Sequence, residues 1–189
     1  MMVGVFERVF ETNFVYRAEE HNTSRHLNEY MSLDIELGYI DSVVDVMKAE
    51  EGFFKYAINL LKEECSEDFA RLNAELPVIP ETGIPMIKFS DAQKLLDEKY
   101  GQKCFGEPDL EPEHEKLLGE YAKKELGSDF IFITHYPTVK RPMYTMIDSE
   151  NPEFTCSFDL LFKGLEITSG AQREHRYEEL KKNMERKGL

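Results

Sequence analysis

The sequence predicts an α+β fold in which helices flank an antiparallel β-sheet. Strand-like runs separated by short turns, together with one long amphipathic segment, support this class. No GxGxxG or GxxxxGK[ST] motif occurs, which argues against a doubly wound nucleotide-binding fold. With 189 residues and 41% hydrophobic content, the chain can bury a core. Its formal net charge of -14 argues against a surface built wholly for nucleic acid.

Cysteine usage and the N-terminal residues bear on the compartment. Cys65, Cys104 and Cys156 are far apart and lack paired spacing, so neither a disulfide framework nor a zinc site is indicated. The start "MMVGVFERVF" lacks the features of a signal peptide, and no apolar run reaches the ~18 residues of a membrane span. We therefore expect a soluble cytoplasmic protein with no membrane partner.

Residues 1–65 are expected to form the first part of the fold. Residues 5–18 predict a helix that runs into a strand, with the strand at 14–19. From 29 to 37 apolar and polar residues alternate, which predicts a half-buried strand. The apolar side of that strand consists of Met31, Leu33, Ile35 and Leu37.

A long helix follows these strands. Asp41 or Ser42 can cap it, and it is expected to continue to about Cys65. Its apolar stripe is wide enough to cover a sheet. The stripe is formed by Val43, Val44, Met47, Phe53, Phe54, Ala57, Leu60 and Leu61.

Residues 66–128 are interpreted as a peripheral insertion, because prolines and glycines break them into short pieces. A short strand at 86–89, a helix capped by Ser90 and ending near Tyr100, and a second helix at 113–126 are predicted inside it. The remainder of this segment is expected to be loop.

Residues 129–189 are predicted to complete the sheet. Three sheet-like segments, "FIFITHYP", "MYTMIDS" and "EFTCSFDLLFKGLEITSG", are joined at prolines. An amphipathic helix from 173 to 186 is expected to end the chain.

The first polar hairpin, between the strands at 14–19 and 29–37, predicts an anion site. Arg17 lies on a strand, where its planar guanidinium is held for phosphate or carboxylate, whereas Arg25 and His26 lie on the loop and would need ordering by a ligand. The alternative is that these charges face solvent and pair with their neighbours. Both interpretations stay open from the residues alone.

The second polar hairpin predicts a cation site. Lys163-Gly164 fits a two-residue turn that places Asp159 and Glu166 on one face as diagonal neighbours, roughly 7 Å apart, where both carboxylates can share a divalent ion. Ser169 and Arg173 follow as a neutral donor and a carboxylate ligand. Separate pairing of these groups with solvent or lysines is the alternative. Together, the two hairpins favour a site for a magnesium-bound polyphosphate.

Two stretches resemble a known family. "VYRAEEHNTSRHLNEYMSLDIE" is similar to motif 2 of class II aminoacyl-tRNA synthetases, and "FDLLFKGLEITSGAQREHR" is similar to the strand pair that holds their magnesium and amino acid. Within this class, the resemblance is to aspartyl-tRNA synthetases of the archaeal type and their non-discriminating aspartate/asparagine relatives. It covers nearly the whole chain, and the family's central sheet is antiparallel, as the sequence predicts.

The resemblance implies ATP contacts in the first hairpin. Arg17 matches the arginine that binds the α-phosphate and the amino-acid carboxyl, and Glu19 matches the residue that reads the adenine amino group. The loop positions that close over ATP are matched by Arg25, His26 and Leu27.

The resemblance also implies the metal and amino-acid contacts. Asp159 and Glu166 match the magnesium ligands, and Glu166 is thereby also an ATP contact. The aspartate-binding positions are matched by Arg17, Asp34, Ser169 and Arg173.

The implied reaction has two steps. The aspartate carboxylate attacks the α-phosphate of ATP to give aspartyl-adenylate and pyrophosphate, and a terminal ribose hydroxyl of the tRNA then accepts the aspartyl group. The tRNA is that of aspartate, or also that of asparagine. Positioning and charge neutralisation are expected to carry the catalysis, with Arg17 as the catalytic residue.

Two parts of the family pattern have no counterpart in this sequence. These are motif 1, which builds the family's homodimer interface, and motif 3, whose arginine packs on the adenine. We therefore expect an incomplete catalytic-core fragment that alone is a poor enzyme or none. Two alternatives are a truncated paralogue that forms aspartyl-adenylate for asparagine synthesis, and a non-catalytic binding protein on the same fold.

Overall fold

Two separate sheets organise the chain. The structure is a computed structural model that describes residues 3–18 and 27–189. Its contacts divide the chain into two units, with the boundary between Asp41 and Ser42. The first unit holds a two-stranded sheet and the second a four-stranded sheet. This division does not coincide with the boundaries at 65 and 128 that the sequence suggested.

The first sheet is a hairpin of two equal strands. After a one-turn helix, α1 (Val3–Phe6), strand β1 (Arg8–Tyr16) pairs antiparallel with β2 (Glu29–Leu37) along its full length. The bounds predicted for β2 are confirmed. The start predicted for β1 is wrong, because its pairing continues to the far end of β2 and Glu7, at φ 63°, separates it from the helix.

The apolar face of this hairpin is exposed, so the prediction that β2 is half-buried is wrong for this chain. The face is 40–77% exposed at Phe10, Phe14, Met31, Leu33 and Ile35. A hairpin has only two strands, and the described residues of its own unit supply just one turn of helix in addition. The alternation of apolar and polar residues therefore predicts correctly which residues share a face, but it does not predict whether that face is buried.

Four strands make up the second sheet: β3 (Met86–Lys88), β4 (Phe130–Thr134), β5 (Ser157–Phe162) and β6 (Leu165–Ala171). They lie in this order across the sheet. β3 runs parallel to β4, whereas β4, β5 and β6 are antiparallel to their neighbours. The predicted sheet is thus confirmed as mainly antiparallel.

Five helices accompany this sheet: α2 (Val43–Glu64), α3 (Ser66–Leu72), α4 (Phe89–Tyr100), α5 (Pro112–Leu126) and α6 (Tyr177–Arg186). The longest, α2, has the predicted bounds, and Ser42 and Asp45 form a reciprocal capping box at its start. It packs on the sheet face formed by Phe130, Phe132, Phe158 and Leu160. Within the described ranges, no helix is long and apolar enough to cross a membrane.

Helices α4 and α5 cover the opposite sheet face. Phe89, Leu96 and Leu118 are almost fully buried and pack with Ile131 and Leu161 of the sheet. The expectation that residues 66–128 are peripheral is therefore wrong, since this segment supplies one strand and eight of the 18 buried hydrophobic residues that the structure describes. Prolines and glycines end its elements without removing them from the interior. Its status as an insertion stays a prediction.

Two predicted elements near the C-terminus differ in the structure. The segment "MYTMIDS" forms isolated bridges, Thr145 with Arg173 and Ile147 with Thr155, instead of a continuous strand. The last helix begins at Tyr177 rather than at 173, because the backbone of Arg173 takes part in the first of these bridges.

Helix α5 is packed directly on the turn between β5 and β6. Lys163 and Gly164 both have positive φ, as a two-residue hairpin turn of the predicted kind requires. A Cβ added at Gly119 of α5 would lie 2.3 Å from the Gly164 backbone nitrogen. The helix and the turn thus touch backbone to backbone, which fixes the position of the hairpin.

Candidate active site

The polar face of the β1–β2 hairpin carries the first group of predicted residues. Arg17 extends the ladder by one pair, since its N–H donates to the Asn28 carbonyl at 2.9 Å. Its guanidinium carbon lies 5.7 Å from the centre of the Tyr30 ring. The register confirms the predicted parity, which places Val15 and Arg17 on the same face as Ser32, Asp34 and Glu36.

Arg17 and Asp34 lie far apart on this face. Asp34 pairs with Glu11, six residues before Arg17 along β1, which is about 20 Å of extended chain. The Ser32 hydroxyl donates to Asp34 Oδ1 at 3.1 Å. A ligand that contacts both Arg17 and Asp34 must therefore be elongated and lie along the hairpin.

Three predicted ATP contacts lie outside the described residues: Glu19, Arg25 and His26. The fourth loop residue, Leu27, is 54% exposed. Their predicted roles over ATP stay predictions.

The β5–β6 hairpin brings Asp159, Glu166 and Ser169 onto one face. Leu161 pairs with Glu166, as predicted, but a bulge between Leu160 and Leu161 shifts the register beyond this point. Without the bulge Ser169 would pair with Phe158 and face α2, whereas with it Ser169 lies directly opposite Asp159. The bulge therefore adds Ser169 to the acidic pair.

Sequence reasoning missed Arg141, which contacts two of these residues. Its Nη2 donates to Asp159 Oδ1 at 2.7 Å and its Nη1 donates to Ser169 Oγ at 3.1 Å. Its guanidinium carbon lies 4.1 Å from the centre of the Tyr136 ring. The only local signal was one arginine before a proline, in a stretch between two sheet-like segments.

Tyr136 completes the surroundings of Asp159. Its side chain is buried against Phe89 and lies close to the Asp159 carboxylate. Burial, and then the charge of Asp159, raise the pKa of Tyr136 well above its usual value. The hydroxyl therefore stays protonated beside Asp159, which is itself only 5% exposed.

The donor set of Asp159 and Glu166 suits a hard cation. As diagonal neighbours they lie about 7–8 Å apart at the backbone, and Glu166 is exposed. Magnesium prefers oxygen ligands and commonly takes one or two carboxylates with water and phosphate in the other positions. In the part of the chain that the structure describes, no three His, Cys, Asp or Glu side chains gather around a possible ion. The residues fit a two-carboxylate site that a phosphate ligand would complete.

Arg173 lies just beyond β6 and is exposed. Its guanidinium carbon is 5.4 Å from the centre of the Tyr144 ring. The adjacent Glu174 is buried and accepts two hydrogen bonds from the Arg176 side chain, which lower the pKa of Glu174 to about 2. This pair anchors the backbone next to Arg173.

Sequence reasoning also missed a buried carboxylate, that of Glu50, which lies on the opposite face of β6. Glu50 of α2 accepts a hydrogen bond from Thr168, while its Oε2 has no partner among the described residues. Burial raises the pKa of Glu50 to about 7. The available signal was its spacing, since Glu50 lies between Met47 and Phe54 on the apolar stripe of the helix.

Solved structures that share this fold include aminoacyl-tRNA synthetases, which indicates the class of protein. The aspartyl-tRNA synthetase of Entamoeba histolytica matches with a TM-score of 0.90 and 30% identity, over 100% of this chain and 39% of that one. The asparaginyl-tRNA synthetase of Pyrococcus horikoshii complexed with asparaginyl-adenylate matches with a TM-score of 0.88 and 26% identity, over 99% and 42%.

The family follows from the sequence match. The family described as tRNA synthetases class II (D, K and N) matches residues 1–189, and the chain belongs to it. An aspartate–tRNA(Asp/Asn) ligase of Aeropyrum pernix is 50% identical over 188 residues, covering 100% of this chain and 42% of the relative. An aspartate–tRNA(Asp) ligase of Pyrococcus furiosus is 41% identical over 100% and 43%. The predicted family is thus confirmed, and the chain spans less than half the length of these relatives.

Proposed function

We propose that this chain is the catalytic-core portion of a cytoplasmic aspartate–tRNA ligase. The observation that carries the proposal is its 50% identity, over 188 residues, to a ligase for aspartate and tRNA(Asp/Asn). The stretches with the predicted site residues lie within this match. The proposed substrates are ATP, L-aspartate and the tRNA of aspartate, or also that of asparagine. A homodimer, as in the family, belongs to the same proposal.

The first hairpin is proposed to hold the reacting phosphate. At neutral pH aspartate already carries a carboxylate, so its attack on the α-phosphate of ATP needs orientation rather than proton removal. Arg17 presents two or more N–H groups to an anion and is held by the ladder bond to Asn28. It can orient the carboxylate and stabilise the negative charge that develops on the α-phosphate.

The second hairpin is proposed to hold the metal and the amino acid. Asp159 and Glu166 would hold Mg²⁺, and a bound divalent ion supplies positive charge to the polyphosphate. Ser169 offers a neutral hydroxyl on the same face, and Arg173 offers an exposed guanidinium for the side-chain carboxylate of aspartate. Asp34 is retained as a further contact to the amino acid in an elongated adenylate.

The proposal is tested by binding and by chemistry on the same purified chain. We expect a non-hydrolysable aspartyl-adenylate analogue to bind in calorimetry, and Arg17→Ala to weaken it at least about tenfold, since it removes hydrogen bonds from a cation to the phosphate. Arg8→Ala is the matched control, because Arg8 lies on the same strand but on the other face. It should leave binding unchanged.

Aspartate-dependent exchange of pyrophosphate into ATP then tests the chemistry. Exchange that requires aspartate, is not supported by asparagine and falls in Arg17→Ala would support adenylate formation by the chain itself. Binding of neither the aspartyl nor the asparaginyl analogue would contradict the proposal. Ammonia-dependent formation of asparagine would favour the paralogue that serves amide synthesis.

A further inference from the structure

We propose that Arg141 is the resident counter-ion of Asp159 in the ligand-free protein and that it competes with a divalent cation for this carboxylate. The inference rests on the proposed function, because it takes Asp159 as a cation ligand. Its structural basis is the 2.7 Å ion pair between Arg141 Nη2 and Asp159 Oδ1, whose side chains are 16% and 7% exposed.

The guanidinium occupies the space in front of the carboxylate. It lies over the Tyr136 ring, and its second terminal nitrogen donates to Ser169 directly across the hairpin from Asp159. A magnesium ion bound to the same carboxylate would lie about 2.1 Å from an oxygen. Two cations this close repel each other strongly where solvent screening is low. The ion and the present Arg141 pair therefore weaken each other's hold on Asp159.

Among the residues that the structure describes, one hydrogen-bond donor of Arg141 is unsatisfied in this arrangement, which favours a different side-chain position when an anionic ligand binds. Its Nε is buried and has no hydrogen-bond partner within the described residues. A buried donor without an acceptor is unfavourable, so a position in which Nε meets an anionic ligand is preferred once such a ligand is present. Arg141 would thus leave Asp159 as cation and anion enter together.

The backbone around Arg141 is anchored, so the exchange is a movement of the side chain. The Lys140 N–H donates to the Pro137 carbonyl at 3.0 Å. The Lys187 ammonium donates to the Val139 carbonyl at 2.8 Å. A rotamer change of Arg141 releases Asp159 without breaking these contacts.

Binding of Mn²⁺ alone, followed by electron paramagnetic resonance without ATP, measures the competition. We expect Arg141→Ala to bind Mn²⁺ at least about tenfold more tightly than the wild type, by the lower range of coupling between close charge pairs. Arg141→Gln, which keeps much of the side-chain volume and a donor, should do the same. Adding Asp159→Asn to either variant should abolish the gain.

Lys140→Ala is the matched control, because it removes the same charge one residue away without touching Asp159. It should change Mn²⁺ affinity by less than about threefold, as expected for an exposed charge. An equal gain in Lys140→Ala would overturn the proposal, since it would reveal only a general charge effect. Absence of Mn²⁺ binding in both Arg141 variants would also overturn it.

A second readout follows Arg141 directly. The buried Nε–H should give a slowly exchanging ¹⁵N–¹H resonance, and titration with diamagnetic Mg²⁺ should shift or broaden it in the wild type. An unmoved resonance at Mg²⁺ concentrations that saturate Asp159 would overturn the competition. Equal Mn²⁺ affinity in the wild type and Arg141→Ala, lost with Asp159→Asn, would do so too while leaving the cation site and the proposed function intact.

Discussion

The two charged hairpins have similar sequence chemistry and very different packing. Five of the six residues of β5 are buried inside a four-stranded sheet, whereas most residues of β1 and β2 are exposed. Asp159 is buried and held by Arg141 beside the Tyr136 ring, whereas Arg17 lies on an exposed hairpin, where its N–H bonds to Asn28 and its guanidinium lies near the Tyr30 ring. Polar residues on paired strands therefore do not by themselves make a preorganised site.

The difference has a chemical consequence. The carboxylate of the second hairpin already has its partners, so it offers a fixed position for a ligand once Arg141 is displaced. An exposed arginine keeps more rotamer freedom and loses it when it binds an anion. We infer that ligand binding mainly orders side chains in the first hairpin, whereas in the second hairpin it mainly replaces Arg141 as the partner of Asp159.

Truncating one phenylalanine in each hairpin should give the largest contrast. Phe158 is 1% exposed, packs against Gly170 and meets the Phe132 ring edge to face, so Phe158→Ala should lower the free energy of unfolding by about 3–5 kcal/mol. Phe14 is 52% exposed, so Phe14→Ala should cost less than about 1 kcal/mol. Urea denaturation followed by circular dichroism measures both. Equal costs would mean that the first hairpin is buried in solution, which would break the comparison.

What the sequence predicted correctly was set by local patterns. The bounds of β2 and α2 follow from alternation and from the Ser42 cap, and the Lys163-Gly164 turn follows from its residue types. This turn also determines that Asp159 and Glu166 lie on the same face of the sheet, because only a few residues separate each of them from it. Each of these features depends on neighbours within a few positions along the chain.

What the sequence did not predict depends on contacts between distant segments. The bulge that turns Ser169 toward Asp159 leaves no mark in the alternation of β6, and Arg141 reaches Asp159 across 18 positions. The burial of residues 66–128 likewise depends on which sheet face α4 and α5 cover. Periodicity shows which residues share a face, but the layer that covers the face is a tertiary property.

A smaller effect is expected from the contact that holds the second hairpin in place. Gly119→Ala would put a methyl group 2.3–2.8 Å from backbone atoms of Lys163 and Gly164, which are less able to yield than side-chain ends. We expect a loss of about 3 kcal/mol in the free energy of unfolding. Gly52→Ala is the control, since Gly52 lies in α2 with open space around it and should gain about 0.5–1 kcal/mol. A neutral Gly119→Ala would show that the turn is free to shift.

The smallest expected effect is a pH-dependent change in the free energy of unfolding, caused by the Glu50 carboxyl that lies against β6. Because burial raises the pKa of Glu50 to about 7, the folded state holds its proton more tightly than the unfolded state, and the contribution of Glu50 to stability falls as the pH rises from about 4.5 to about 7. Gln has no proton to lose, so Glu50→Gln should match the wild type near pH 4 and exceed it by about 2 kcal/mol at pH 8.

The neighbouring Glu51 is the control for this pH dependence, because its environment has the opposite sign. Burial acts to raise the pKa of Glu51, but hydrogen bonds from Lys55 at 2.6 Å and from the Ile84 N–H at 2.9 Å outweigh it and lower the pKa. Its stabilising contribution is therefore present above the unfolded pKa and is lost as the pH falls through the folded value. Glu51→Gln should destabilise the protein at pH 8, and the loss should shrink toward acid. If stability changed with pH in the same way in both variants, Glu50 would be hydrated in solution. The region between α2 and β6 would then be as accessible to solvent as the first hairpin, which would break the comparison.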